Sequence, residues 1–210
     1  MSERELREEI AEVGKSIFDR GLTAGSSGNI SVKLPDGMLV TPTNSCLGRL
    51  DPDRISKISQ SGDLLSGDKP SKEAFLHHSM YQSRPTEQSI VHLHSTYSVA
   101  VSCLADIDHS NVLPPITAYY VMRVGTLPLI PFFPPGDEAL AEAVSKAAKL
   151  SKAVLLSNHG PVVGGSSLSS AANAMEELEE TAKLFLLLRN ENTRFLGPSE
   201  VADLRSRFPS

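Results

Sequence analysis

The stretch IVHLHSTYS, residues 90–98, places His92 and His94 one leucine apart. Residues i and i+2 of a strand share a face, so in an extended segment these two imidazoles project side by side. Two neutral imidazoles at that spacing can reach one metal ion. The spacing fits equally a pair of exposed or hydrogen-bonded histidines. A third imidazole, His159, lies at the end of AVLLSNHG, and strand ends beside glycine are where small-molecule sites gather. Three protein ligands with an open fourth position is the pattern of a catalytic zinc centre. Glu73, in KPSKE, stands near the start of an expected helix. Its carboxylate could move a proton or complete a metal's shell, or merely complement the helix dipole. His77, four residues on, shares that helical face and gives a competing Glu73–His77 metal pair. His78 and His109 have no partner in sequence and read as ordinary surface or core histidines.

Three segments have the character of anion loops. AGSSGNIS (24–31) precedes a strand with glycine, serine and asparagine, so its backbone can approach an anion and its side chains add donors. It is not a P-loop, because the lysine and the strand–loop–helix order are missing. TPTN (41–44) and PSK (70–72) are similarly rich in donors. Ser71 and Lys72 are expected to open a helix, where free N–H groups favour phosphate. Each alone reads as a turn; convergence would make a phosphate site.

The elements that must position these residues follow from periodicity. Leu6, Ile10, Val13 and Ile17 predict a helix over 3–20. NISVKL and MLVT read as a hairpin joined at PDG, and LDPDR as the start of a short helix. ISKISQSGDLLSG reads as strand, turn, strand, and PSKEAFLHHSMYQS as a helix. QSIVHLH is an expected strand, followed by a helix in YSVAVSCLA and then the proline-rich NVLPPITAYYVM. The strand GTLPLIPFF, the helix DEALAEAVSKAAKL, the strand AVLLSNHG and a short PVVGG follow. Leu168, Ala171, Met175, Leu178, Ala182 and Phe185 predict a long helix through residue 190, with EELEE as its solvated acidic face. PSEVADLRSRF reads as a last short helix. One mixed α/β domain spanning 1–210 is the economical organisation.

Composition narrows the function classes. The 210 residues are 40% apolar and 21% charged, a globular mix. No apolar run is long enough to span a membrane, and the charged start MSERELREEI is not expected to be a secretory signal. Two cysteines, Cys46 and Cys103, suggest a reducing cytoplasm. A net charge of -5 and a pI near 5.7 argue against nucleic acid as a partner.

Taken in order, GLTAGSSGNIS, VTPT, KPSKE, VHLHS, LLSNHGPVV and the long helix resemble the class II aldolase and ribulose-phosphate 4-epimerase superfamily over most of the chain. The resemblance implies a three-layer α/β/α sandwich around a mainly antiparallel sheet, assembled as a cyclic homotetramer with active sites at subunit interfaces. It implies one zinc or related divalent ion per subunit, held by His92, His94 and His159. It implies Glu73 as the acid–base residue and a phosphate pocket on Asn29, Thr43, Ser71 and Lys72. Imidazole ligands also suit manganese, cobalt or iron. Ribulose-phosphate epimerases carry aspartate, after two serines, where this chain has Lys72–Glu73.

GLTAGSSGNISV, PSKE, LPPITAYYVMRVG and EELEETAKLFLLLR are most similar to the 3-oxo-tetronate 4-phosphate decarboxylases. That similarity implies loss of carbon dioxide from a small phosphorylated sugar acid through a metal-stabilised enediolate, giving dihydroxyacetone phosphate. Tyr119, or its neighbour Tyr120, would donate the proton, and Lys72 would suit the extra carboxylate. The alternative is a sugar-phosphate aldolase such as fuculose-phosphate aldolase, which reaches the same enediolate by expelling an aldehyde. A non-catalytic scaffold of this fold should have lost its ligands or Glu73, and all are present.

Overall fold

The computed structural model describes residues 1–134 and 137–208. Its strands are β1 (Asn29–Leu34), β2 (Gly37–Val40), β3 (Ser56–Ser59), β4 (Leu64–Ser66), β5 (Ser89–His92), β6 (Leu129–Ile130), β7 (Ala153–Leu156) and β8 (Gly160–Gly165). They form one sheet in the order β4-β3-β2-β1-β5-β8-β7-β6. Every pairing is antiparallel except that of β6 with β7.

Strand alternation sorts the core into two layers. Ile30, Val32, Leu39, Val91 and Val163 pack with Ile10 and Ile17 of α1 (Glu3–Asp19) and with Met175, Leu178 and Ala182 of α6 (Leu168–Leu188). Met38, Val40, Ile90, Val154 and Val162 pack with Leu76 and Met80 of α2 (Ala74–Ser83) and with Leu140 and Val144 of α5 (Glu138–Ala148). Each fully buried aliphatic side chain contributes about 1.5–3 kcal/mol, so both sheet faces need cover. The result is the expected α/β/α sandwich around a mainly antiparallel sheet. The first layer also carries α3 (Thr96–Ser102) and α4 (Ala118–Arg123), and α7 (Pro198–Arg207) contacts α4. No described helix is long and apolar enough to cross a membrane.

Local chemistry corrects four expectations. GTLPLIPFF yields only the two-residue β6, because Pro128 and Pro131 flank it without N–H donors. LDPDR forms a single 3-10 turn, Pro52–Arg54. The proline-rich segment contains a helix: Thr117 caps α4 by accepting from the Tyr120 N–H. Ser71 and Lys72 do not open α2, which begins at Ala74 with Glu73 as its N-cap. They lie in the preceding turn, where the Ala74 N–H donates to the Ser71 carbonyl.

Candidate metal centre

Four elements end at one place on the α2 side of the sheet. The β1–β5 register sets Asn29 opposite His92. Ile30 and Val91 face α1 and α6, so Asn29, Ser31 and His92 face α2. β5 stops at His92, but Leu93 still packs into the α1 layer, which returns His94 to the side of His92. His159 comes from the turn between β7 and β8, where Asn158 takes the left-handed φ of 55° that asparagine tolerates. Glu73 projects from the start of α2.

Two glycines make this convergence possible. Gly28 has φ +82°, and a Cβ there would stand 2.9 Å from the His92 carbonyl oxygen. A Cβ on Gly160 would stand 2.2 Å from the Leu93 carbonyl oxygen. The backbone between His92 and His94 is thus wedged between two positions without side chains.

The three imidazoles form a nearly equilateral triangle, with ring centroids 4.9, 4.9 and 4.6 Å apart. His92 Nε2 lies 3.1 Å from His94 Nε2 and 3.5 Å from Glu73 Oε2. His159 Nε2 lies 3.2 Å from Glu73 Oε1. One donor atom from each of Glu73, His92, His94 and His159 lies within 4.8 Å of the others. Tetrahedral ligands at about 2.0–2.1 Å from one ion stand about 3.3–3.4 Å apart, so the set fits a divalent cation.

The electrostatics fit as well. His92 is wholly buried, and its Nδ1–H donates to the Pro161 carbonyl at 2.8 Å, leaving the Nε2 lone pair free. Burial holds His92 below the usual imidazole range against the pull of Glu73. Burial, then His92 and His159, push His94 down to about 4. Burial works to raise the Glu73 carboxyl, but the His159 hydrogen bond, the nearby imidazoles and the Asn29 amide outweigh it and hold it well below the carboxylate range. Neutral imidazoles and an ionised carboxylate are the forms a divalent cation requires.

Two residues take supporting roles that local sequence does not show. His77, considered only as a rival ligand, is not among the four clustered residues. It is buried, with Nε2 2.5 Å from Asn29 Oδ1 and Nδ1 2.7 Å from Ser31 Oγ. EELEE is not a solvated face. Glu179 is buried and accepts from the Tyr97 N–H, the Ser98 N–H and the Ser98 hydroxyl at 2.8, 2.9 and 2.6 Å. It caps α3, directly after His94, while Ser95 sends its own hydroxyl to the Leu22 carbonyl. Glu177 accepts from the Thr117 hydroxyl and Glu176 pairs with Arg20. A period-3.6 pattern marks α6's apolar stripe and cannot reveal glutamates that cap neighbouring helices.

The anion-loop segments do approach one another. The Ser71 N–H donates to the Thr41 carbonyl, and Pro42 bridges Pro70. Gly25, Ser26, Thr43, Asn44 and Arg49 line one cleft of about 460 Å³. Lys72 is exposed, and Ser71 Oγ accepts from the Glu73 N–H. The Asn29 amide is turned to Glu73, donating from Nδ2 to Oε2 at 2.8 Å. Tyr119 is 58% exposed on α4 with Arg123 over its ring, whereas Tyr120 is 1% exposed and donates its hydroxyl to the Leu113 carbonyl.

This fold, with three imidazoles and a carboxylate gathered at strand ends, defines the class, and the chain belongs to it. Residues 8–186 match the class II aldolase and adducin N-terminal domain family. The chain is 53% identical to the 3-oxo-tetronate 4-phosphate decarboxylase of Escherichia coli K12 over 205 residues, covering 97% of each chain. It superposes on the crystal structure of YgbL from Escherichia coli with a TM-score of 0.94 at 51% identity, over 97% of this chain and 99% of that one. It is 32% identical to the L-fuculose phosphate aldolase of Escherichia coli K12 over 212 residues, covering 99% of this chain and 96% of that one.

Proposed function

We propose that this chain, one class II aldolase-like domain over 1–210, is a carbon–carbon lyase that decarboxylates 3-oxo-tetronate 4-phosphate to dihydroxyacetone phosphate and carbon dioxide. The observation that carries this reading is the four-residue donor cluster, on a chain 53% identical along 97% of its length to a decarboxylase of that name. The fuculose-phosphate aldolase is more distant, at 32%.

His92, His94 and His159 would hold the ion, zinc by their donor chemistry. When bound, the ion supplies Lewis-acid stabilisation of the electron pair left behind as carbon dioxide departs. Glu73, ionised at rest, would take a proton from solvent water and relay it to the resulting carbanionic carbon, since its carboxylate is the oxygen pair nearest the three imidazoles. Thr43, which lines the donor-rich cleft, would orient the phosphate end together with Ser71 and with Asn29, whose Nδ2 keeps a second hydrogen beside the one given to Glu73. Lys72, exposed before α2, would meet the carboxylate that leaves. Tyr119 would serve as a second proton donor from a neighbouring subunit of a homotetramer, a role its solvent-facing ring allows and the buried Tyr120 ring does not. The enzyme would work in the cytoplasm on a soluble sugar-acid phosphate.

A product assay on zinc-loaded protein tests the reading. Carbon dioxide and dihydroxyacetone phosphate should form from 3-oxo-tetronate 4-phosphate, with no aldehyde from fuculose 1-phosphate. The reverse result makes the chain an aldolase. Full metal occupancy in both His92→Ala and His159→Ala would sink the site assignment.

A further inference from the structure

Glu73, His77 and Tyr81 recur every four residues and so share one stripe of α2. Asn29 and Ser31 share one face of β1. Four helical residues advance about 6 Å and two strand residues about 6.7 Å, so the two rows stay in step and interleave. The contacts run from Glu73 to Asn29 at 2.8 Å, Asn29 to His77 at 2.5 Å, His77 to Ser31 at 2.7 Å and Ser31 to Tyr81 at 2.8 Å.

Chemistry fixes the direction of every bond in that row. The Glu73 carboxylate only accepts, so Asn29 turns its Nδ2 to it and its Oδ1 to His77. Oδ1 only accepts, so His77 carries its proton on Nε2. Burial first, then the neighbouring His92, push the ring down to about 3 against the pull of Glu73, so it stays neutral and Nδ1 is bare. Ser31 must then donate to Nδ1, which leaves Tyr81 as donor to Ser31. His77, Asn29 and Ser31 are buried, which keeps solvent from substituting for a lost partner.

We propose that His77 is a positioning residue: its Nε2–H locks the Asn29 amide so that Glu73 Oε2 always meets a donor, while the Ser31 hydroxyl, backed by Tyr81, satisfies the bare Nδ1. This rests on the reading of Glu73 as the acid–base group. A flipped Asn29 would set oxygen against oxygen at Glu73, so the ladder holds the carboxylate in one orientation through the reaction.

The test uses the zinc-loaded full chain labelled with 15N. Long-range 1H–15N spectra should show His77 neutral and protonated on Nε2 between pH 6 and 9. A proton on Nδ1, or an imidazolium, overturns the proposal whether or not any substrate turns over. The Asn29 side-chain amide should be protected from exchange in the parent protein and lose that protection in His77→Leu; unchanged protection also overturns it. In turnover of 3-oxo-tetronate 4-phosphate, His77→Leu should lower kcat about 10–100-fold with KM within about threefold. His77→Gln, which restores an N–H near Nε2, should keep at least about ten times the kcat of His77→Leu. In a Glu73→Gln background the Leu substitution should cost less than about twofold, whereas equal losses in both backgrounds would make His77 merely structural and overturn the proposal. If His77→Leu fails to fold, Ser31→Ala and His77→Gln carry the exchange measurement. A parent chain with the predicted tautomer but no decarboxylation refutes the substrate reading and leaves the ladder standing.

Discussion

Replacing Glu179 tests whether α6 holds the metal site through α3. In the parent chain one carboxylate satisfies two backbone N–H groups at the start of α3 and the Ser98 hydroxyl. Glu179→Ala leaves all three without that acceptor. The Ser98 N–H is buried, and the Tyr97 N–H is partly reached by solvent. One buried unsatisfied donor costs about 1–3 kcal/mol and a half-exposed one less, so the total is about 3 kcal/mol. For a chain of this length 1 kcal/mol moves Tm by about 2–4 °C, which predicts a fall of about 6–12 °C by circular dichroism. Glu179→Gln keeps one acceptor oxygen and should lose about half as much. Because α3 follows His94 directly, zinc affinity measured by chelator competition should also fall about tenfold. Glu180→Ala, on the exposed side of the same helix, is the control and should stay within about 0.5 kcal/mol. A Glu179→Ala protein that melts within about 2 °C of the parent would refute the claim that this carboxylate carries α3.

Three further outcomes are expected. Gly160→Ala should reduce zinc binding more than Gly164→Ala, because its Cβ would fall 2.2 Å from the Leu93 carbonyl, whereas at Gly164 the nearest atom is the Glu87 Cγ at 3.1 Å; equal zinc binding in the two variants would remove the role given to that close approach. His77 is held down to about 3 in the fold by burial and by His92, against about 6.5 unfolded. The unfolded chain therefore binds one more proton between those values, and stability is full above about pH 6.5 and falls toward pH 3 at up to about 1.4 kcal/mol per pH unit; His77→Gln should flatten that slope in urea titrations at pH 4–6, and an unchanged slope would show that other groups set it. Under the proposed function Tyr119→Phe should lower kcat about 100-fold and Tyr120→Phe by less than about threefold, and the opposite order would reassign the proton donor.

How much of this was legible in the sequence depends on whether a role is local. His92 and His94 were readable as a pair because strand alternation places them on one face, even though the strand itself ends at His92. His159 was readable because a turn beside Gly160 exposes it. The hairpin of β1 and β2 and the long α6 followed from turn chemistry and period. β6 and α4 did not, because prolines shorten the one and disguise the other. The roles of Glu179 and His77 were invisible for a different reason. Glu179 is defined by backbone donors 82 and 81 residues away, and His77 by side chains 46 and 48 residues away. No window of local sequence contains those partners.

The same distinction explains why the ligands can be recognised singly while the site works only as a unit. A carboxylate buried beside three imidazoles is costly unless a positive charge or several donors compensate it. The fold supplies the Asn29 donor at Glu73 and the Pro161 acceptor at His92, and it leaves the Nε2 atoms of His92 and His94 facing each other at 3.1 Å. His92 carries its proton on Nδ1, so the His94 Nε2–H donates to the His92 Nε2 lone pair, and the ionised Glu73 lies 3.5 and 3.2 Å from His92 and His159. A divalent cation would offset the buried negative charge and, with the His94 proton moved to its other ring nitrogen, would take both Nε2 lone pairs. The geometry of the cluster is held by elements far from it. Gly28 and Gly160 leave the histidine backbone room on two sides, Glu179 ties down the helix behind His94, and the α2–β1 ladder sets the carboxylate. Weakening any one of them should lower metal affinity without removing a ligand.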